Sequence, residues 1–115
     1  METFTVGSVV LIPFPFSDLS RIKRRPAIVI AEVDHGDWIL CQVTSQPYSD
    51  SQSIEISDNH FQQGSIQRVS YVRPGKLFTA HYTLIIRKVA QLKPEVLKKI
   101  REKIKNLIDG VQNEA

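Results

Sequence analysis

Arg25 stands at the end of a run of cations and just before a proline, in Lys23-Arg24-Arg25-Pro26. A β-branched stretch follows at once, Ala27-Ile28-Val29-Ile30-Ala31. A guanidinium is a planar fork of N–H donors that matches phosphate oxygens in pairs and stays charged at any physiological pH. Pro26 restricts the residue before it to an extended backbone. The pattern therefore hands a phosphate-matching donor from a polar, basic loop, Ser17 to Arg24, into the mouth of a rigid strand. By pattern alone, a surface arginine in a salt bridge or a solvated loop is the commoner case.

Thr44 closes a second apolar run, Trp38-Ile39-Leu40-Cys41-Gln42-Val43-Thr44. A hydroxyl where the backbone leaves a sheet can face a cleft and donate to a non-bridging phosphate oxygen. A threonine kept for its β propensity is the more frequent reason for one there. Ser17, Ser20, Lys23 and Arg24 add hydroxyls and cations in the loop before Arg25. Such groups position an anionic backbone without specifying sequence, and plain loop polarity also explains them. The three histidines, His35, His60 and His81, form an alternative acid–base set near neutral pH. Their contexts, a turn, a loop and a place beside Tyr82, favour surface or structural roles. No HExxH, paired metal carboxylates or phosphate-binding glycine loop occurs, so no metal or nucleotide cofactor is expected.

The elements that must hold these residues are short strands and one helix. Ser8–Ile12 reads as strand one; Pro13 and Pro15 lack a backbone N–H and bar it from continuing as a central ladder member. Pro26–Glu32 is apolar at nearly every position and reads as a central strand. Asp34-His35-Gly36-Asp37 is a tight turn, so Trp38–Thr44 completes a hairpin. Ser45–Ser53 is a polar loop. Ile54–Ile56 alternates like a half-buried strand. Asp58–Gly64 reads as a loop and Ser65–Val72 as a strand of ambiguous register, with Ile66, Val69 or Tyr71, and Val72 available for the core. Pro74-Gly75 reads as its break. Leu77–Tyr82 is open between a short strand and one helical turn. Thr83–Val89, with Leu84-Ile85-Ile86, reads as the last strand.

Leu92–Val111 is the clearest helix. Pro94 suits the first helical position and Glu95 opposes the positive end of the dipole. Val96, Leu97, Ile100, Ile104, Leu107, Ile108 and Val111 recur at spacings of three and four, and Gly110 is a natural stop. Lys98, Lys99, Arg101, Lys103 and Lys105 lie off this stripe and read as a solvated outer face in preference to a secondary nucleic-acid surface. Strands followed by a helix give a small curled antiparallel β domain with a helix laid against it.

At 115 residues the chain is one domain, residues 1–115, with room for a modest core. A net charge of +3 is compatible with an anionic partner without demonstrating one. The single cysteine, Cys41, excludes an intrachain disulfide and a multi-cysteine zinc site, and sits in an apolar run as a small core residue. No segment resembles a signal peptide or spans a membrane, so a cytoplasmic protein is expected.

The stretch Gly7–Ala31 resembles the start of the MazF/PemK family of toxin ribonucleases. The matching pieces are Gly7-Ser8-Val9-Val10-Leu11, Pro13-Phe14-Pro15-Phe16-Ser17-Asp18-Leu19-Ser20 and Lys23-Arg24-Arg25-Pro26-Ala27-Ile28-Val29-Ile30. The likeness continues through Val43-Thr44-Ser45-Gln46, Ser70-Tyr71-Val72-Arg73-Pro74 and the C-terminal helix. It is weakest over Ser49–Gln63. It implies an SH3-like barrel of the MazF/PemK/CcdB type and a type II toxin that cuts single-stranded RNA without a metal. In that reading the substrate's 2′-hydroxyl attacks the adjacent phosphate and leaves a 2′,3′-cyclic phosphate. Arg25 and Thr44 match the family's catalytic pair. Ser17, Ser20, Lys23, Arg24 and Gln46 become candidate RNA contacts. The implied partners are single-stranded RNA, a cognate antitoxin and a second copy in a homodimer. Two departures, Ser8 where an acidic residue is frequent and a short, more basic loop before Arg25, bear on RNA preference more than on fold. The alternatives are a CcdB-like, non-enzymatic gyrase poison and a catalytically silent RNA-binding relative.

Overall fold

The computed structural model describes residues 4–15, 22–47 and 51–111. Among the described residues seven strands form one antiparallel sheet: β1 (Ser8–Pro15), β2 (Ile22–Glu32), β3 (Asp37–Thr44), β4 (Ile54–Ile56), β5 (Phe61–Gly64), β6 (Ser70–His81) and β7 (Arg87–Leu92). Helix α1 (Pro94–Asp109) follows. The strand order is β4-β6-β3-β2-β1-β7-β5, so the hairpin strands β1, β2 and β3 lie in the middle and the short β4 and β5 form the edges. The sheet curls into a half-barrel with α1 laid against it, in line with the curled antiparallel β domain that the sequence pattern predicts.

β2 is apolar on both faces because both faces are covered. Ile28 and Ile30 join Val9, Cys41, Val43, Ile56, Val72 and Leu92 in a core against Leu97, Ile100 and Ile104 of α1. Ala27 and Val29 point the other way, into a second core with Val10, Ile12, Leu40, Ala80 and Ile85. Removing one such side chain from water stabilises the fold by about 1.5–3 kcal/mol. That is enough to hold the period-two pleat of β2 in one phase. Cys41 is fully buried, as its context suggests.

Several boundaries differ from the sequence reading. β1 continues to Pro15, but beyond Leu11 it pairs with β2 alone. The carbonyl of Leu11 accepts a hydrogen bond from the N–H of Ile86 at 2.9 Å. Pro13 and Pro15 share the phase of Leu11, so their ring nitrogens face the side where β7 has ended, and no ladder bond is lost. Lys23, Arg24 and Arg25 are not in a loop; they already belong to β2, opposite Phe14, Pro13 and Ile12. The segment 58–64, expected to be a loop, holds a 3-10 turn at Asp58–His60 and then β5. β6 starts at Ser70 and runs through Pro74-Gly75 to His81. The proline and glycine mark a bulge, since pairing with β3 jumps from Val43↔Val72 to Cys41↔Leu77. The stretch 77–82 is strand to His81, and a 3-10 turn occupies Tyr82–Leu84. The last strand is Arg87–Leu92, later than the apolar Leu84-Ile85-Ile86, of which only Ile85 is buried.

Helix α1 starts with Pro94 in its first turn and ends at Gly110, whose φ of 75° makes the left-handed cap. Leu97, Ile100 and Ile104 are buried, whereas Leu107, Ile108 and Val111 are exposed, so the apolar stripe outruns the core. Among the described residues no helix is long and apolar enough to cross a membrane.

One side chain ties α1 to the sheet. Pairing of β2 with β3 shifts between Val29↔Leu40 and Ala31↔Ile39, which makes Ile30 a bulge residue. Its carbonyl accepts two bonds from Arg101, from Nη2 at 2.6 Å and from Nε at 3.2 Å. The guanidinium thus takes the place of the strand donor that a bulge removes. Arg101→Ala leaves that carbonyl unsatisfied and is expected to lower the unfolding free energy by about 1–3 kcal/mol in urea titration. Arg101→Lys is expected to recover part of it. A loss below about 0.5 kcal/mol, usual for surface substitutions, would refute the tie.

Candidate functional site

The pleat assigns each strand residue to a face. On β2, Ala27 and Val29 belong to the core away from α1, so Arg25, two residues earlier, projects on that face. On β3, Leu40 is on the same face, and therefore so are Gln42 and Thr44. Arg25 and Thr44 thus sit on one face of two neighbouring strands. Continuing the register Ala27↔Gln42 by two residues sets them opposite each other.

The β2–β3 ladder does not in fact reach that far; its last pair is Ala27↔Gln42. Both strands continue, but with other partners. β2 stays with β1 down to Pro15↔Ile22, and β3 stays with β6 to Thr44↔Tyr71. The pairing therefore forks past Ala27↔Gln42, with Arg25 on the β1–β2 prong and Thr44 on the β3–β6 prong. Pro26 is the cause. Leu11 turns its carbonyl toward Ile86 on the β7 side, so Leu11↔Pro26 is a pair without hydrogen bonds, and the backbone of Pro26 faces β3. The donor that should meet Val43 there does not exist in proline. The same residue that straightens Arg25 ends the ladder beside it.

Thr44 is buried, at 7% exposure, and its Oγ1 accepts a hydrogen bond from the N–H of Gln46 at 3.1 Å. That bond occupies the hydroxyl as an acceptor and leaves its proton to donate into the fork. Arg25 is half-buried. A guanidinium and an O–H on one face of neighbouring strands can grip a tetrahedral anion from two sides.

The remaining sequence candidates divide. Arg24 is exposed and has the opposite phase to Arg25, so it projects on the other face of β2. Lys23 lies on β2 opposite Phe14. Gln46 is exposed just beyond Thr44 and reaches the site through its backbone N–H. Ser17 and Ser20 lie outside the described residues. The histidines are elsewhere. His35 is exposed in the turn after β2, with φ 65°. His60 Nδ1 accepts from the N–H of Ser57 at 2.9 Å. His81 Nδ1 meets Thr83 Oγ1 at 2.8 Å, and His81 pairs with Asp37, at the end of β3 away from Thr44. That is seven residues along the strand, roughly 23 Å. Among the described residues no group of three His, Cys, Asp or Glu side chains comes together to hold a metal.

The sequence reading missed β6 as a contributor. Tyr71 is the direct cross-strand partner of Thr44, and Arg73 follows at the start of the bulge, where its carbonyl accepts from Cys41 Sγ at 3.0 Å. The ambiguous register of Ser65–Val72 concealed them. An alternation anchored on buried Val72 would have exposed Tyr71 on the face of Thr44.

These features define a small antiparallel β domain with a C-terminal helix. The family described as PemK-like, MazF-like toxin of type II toxin-antitoxin systems matches residues 5–108. The chain belongs to that family. No curated protein matches it by sequence. Among solved structures it is similar to a MazE–MazF complex from Deinococcus radiodurans, with a TM-score of 0.72 at 19% identity over 90% of this chain and 94% of the other. It is also similar to the Mycobacterium tuberculosis toxin MazF-mt6, with 0.67 at 12% over 89% and 96%. An endoribonuclease bound to its cognate antitoxin, from a mycobacterial species, gives 0.66 at 12% over 97% and 100%. At such identities the likeness is one of fold.

If Pro26 sets the fork, restoring its N–H should extend the ladder. In Pro26→Ala the amide of residue 26 is expected to exchange with deuterium as slowly as that of Ile28. A fast-exchanging amide in a variant of unchanged fold would show that something else parts the strands.

Proposed function

We propose that this toxin is an endoribonuclease of single-stranded RNA and that Arg25 and Thr44 hold the scissile phosphate in the fork. The observation that carries the reading is their common face on two strands whose ladder stops just short of them. Family membership supports it, and so does the name of a similar structure, an endoribonuclease with its antitoxin.

RNA carries its own nucleophile. The 2′-hydroxyl loses its proton, its oxygen bonds to the neighbouring phosphorus, the P–O5′ bond breaks, and the departing oxygen takes up a proton. The products are a 2′,3′-cyclic phosphate and a 5′-hydroxyl. A reaction of this kind asks the chain for alignment and for charge at the phosphate, and it needs no metal. Arg25 neutralises the oxygens as negative charge grows in the transition state. Thr44, its acceptor side held by Gln46, donates to a non-bridging oxygen. Single strands fit best, because bases and sugar–phosphate can be splayed only where pairing is absent.

By the same resemblance the working unit is a homodimer, with RNA along a groove between copies and a segment of the cognate antitoxin occupying that groove. The MazE–MazF complex among the similar structures supports an antitoxin partner.

Purified protein in EDTA should cut single-stranded RNA, leave duplex RNA intact and yield cyclic phosphate ends. Removing one pre-aimed donor from such a site typically slows the chemical step by about 10²–10³-fold. Arg25→Ala is expected to lose at least that much. Thr44→Val should lose less, and Thr44→Ser should keep most of the rate. Equal cleavage by Arg25→Ala, or binding of RNA without any cutting, would overturn the reading.

A further inference from the structure

We infer that Tyr71 is the platform on which a base next to the held phosphate stacks, and that Glu55 reads the edge of that base. The inference rests on the phosphate reading above and extends it to the substrate's bases. The residues form a row. Thr44 on β3 is directly opposite Tyr71 on β6, and Tyr71 is directly opposite Glu55 on β4. Paired residues of an antiparallel ladder project on the same face. The face is fixed independently, because the alternating neighbours Val43, Val72, Ile54 and Ile56 all turn to the core beneath α1. Thr44, Tyr71 and Glu55 therefore project on the opposite side, the side of Arg25.

Each step along the row is one strand spacing, about 4.8 Å. A phosphate gripped at Arg25 and Thr44 thus has an aromatic ring one strand away and a carboxylate two strands away. A base joined to the sugar beside that phosphate can reach this distance. Tyr71 is half-buried, so the sheet holds its base while part of the ring meets solvent. Rings held in this way are the usual stacking surface for unpaired bases, since every base has a π-face. Glu55 is exposed at the outer end of the row. A carboxylate only accepts hydrogen bonds, so it favours a base edge bearing an amino group and disfavours the carbonyl-rich edge of uracil.

Two measurements test this on the full chain. The first is binding of a non-cleavable single strand, a 2′-deoxy oligonucleotide of mixed sequence. Tyr71→Leu keeps apolar bulk without a ring, and Tyr71→Phe keeps the ring without the hydroxyl. Loss of one stacked base corresponds to about ten- to hundred-fold in Kd. Tyr71→Leu is expected to weaken binding by that factor and Tyr71→Phe by less than about threefold. Equal affinity for the two variants, each folded by circular dichroism, overturns the platform. The second is end-sequencing of a random single-stranded RNA pool after cutting. Glu55→Gln should relax the preference at one position beside the cut and leave the others alone. An unchanged preference overturns the role of Glu55. If wild type does not cut the pool, the ribonuclease reading fails, and the binding comparison still decides Tyr71. If wild type cuts and Tyr71→Leu matches it in affinity and preference, only the present inference fails.

Discussion

The absent N–H of Pro26 is the constraint from which the site follows. A central strand normally shares its backbone groups with both neighbours, and β2 does so at Ala27 and Ile28, where its ladders with β1 and β3 overlap. At Pro26 the phase of the ladder points a missing donor at β3. β2 can then keep β1, and β3 can keep β6, but the two pairs need not stay joined. A fork made in this way costs little. The strand acquires no buried unsatisfied N–H, which would cost about 1–3 kcal/mol. Each prong remains a hydrogen-bonded ribbon and not a loose loop.

The phase of the pleat is the second half of the constraint. Burial of Ile28 and Ile30 beneath α1, and of Ala27 and Val29 on the other face, leaves β2 no freedom to slip by one residue. A slip would turn Arg25 toward the helix side and Arg24 toward the fork. The packing of these four apolar side chains thus decides which of two adjacent arginines can face Thr44. The bulge at Ile30 lies within this same strand. Arg101 stabilises it from the helix, so α1 helps hold the strand that carries Arg25 at its far end.

The parts of the fold that could be read from the sequence are those where local chemistry and tertiary environment agree. The β2–β3 hairpin has apolar strands on either side of Asp34-His35-Gly36, and α1 has Pro94 and Gly110 at its ends. The parts that misled are those where they conflict. β5 is Phe61-Gln62-Gln63-Gly64, with three exposed residues, and pairs with β7 at an edge where little apolar surface is needed. Leu84-Ile85-Ile86 has the composition of a strand, yet Ile86 reaches β1 by a single bond and the ladder proper starts at Arg87. Pro74-Gly75 looks like a terminus and is a bulge in a strand that continues, because β6 resumes its pairing with β3 at Leu77. The cations of β2 look like a loop because their prong extends past the core that would have marked it as strand. For the candidate site, Arg25 and Thr44 could be picked out by residue type, and Pro26 as the residue that straightens Arg25. Their shared face could not, since it depends on the register between two strands.

The row from Arg25 through Thr44 and Tyr71 to Glu55 also runs from the middle of the sheet to its edge. β2 is held on both sides and buried on both faces, whereas β4 has three residues and one neighbour. The chemistry of a phosphodiester is the same at every nucleotide, so the groups that grip it gain from the most rigid position available. Base identity varies along a strand of RNA, and groups that discriminate it can stand on a short edge strand without disturbing the core. A substitution at Glu55 changes no buried contact, while one at Ala27 or Val29 would move Arg25 itself. The proposed division of labour, grip at the centre and reading at the rim, is therefore what the stability of the sheet permits: specificity can shift by surface change on β4 while the fork, set by one proline and the pleat of β2, stays where it is.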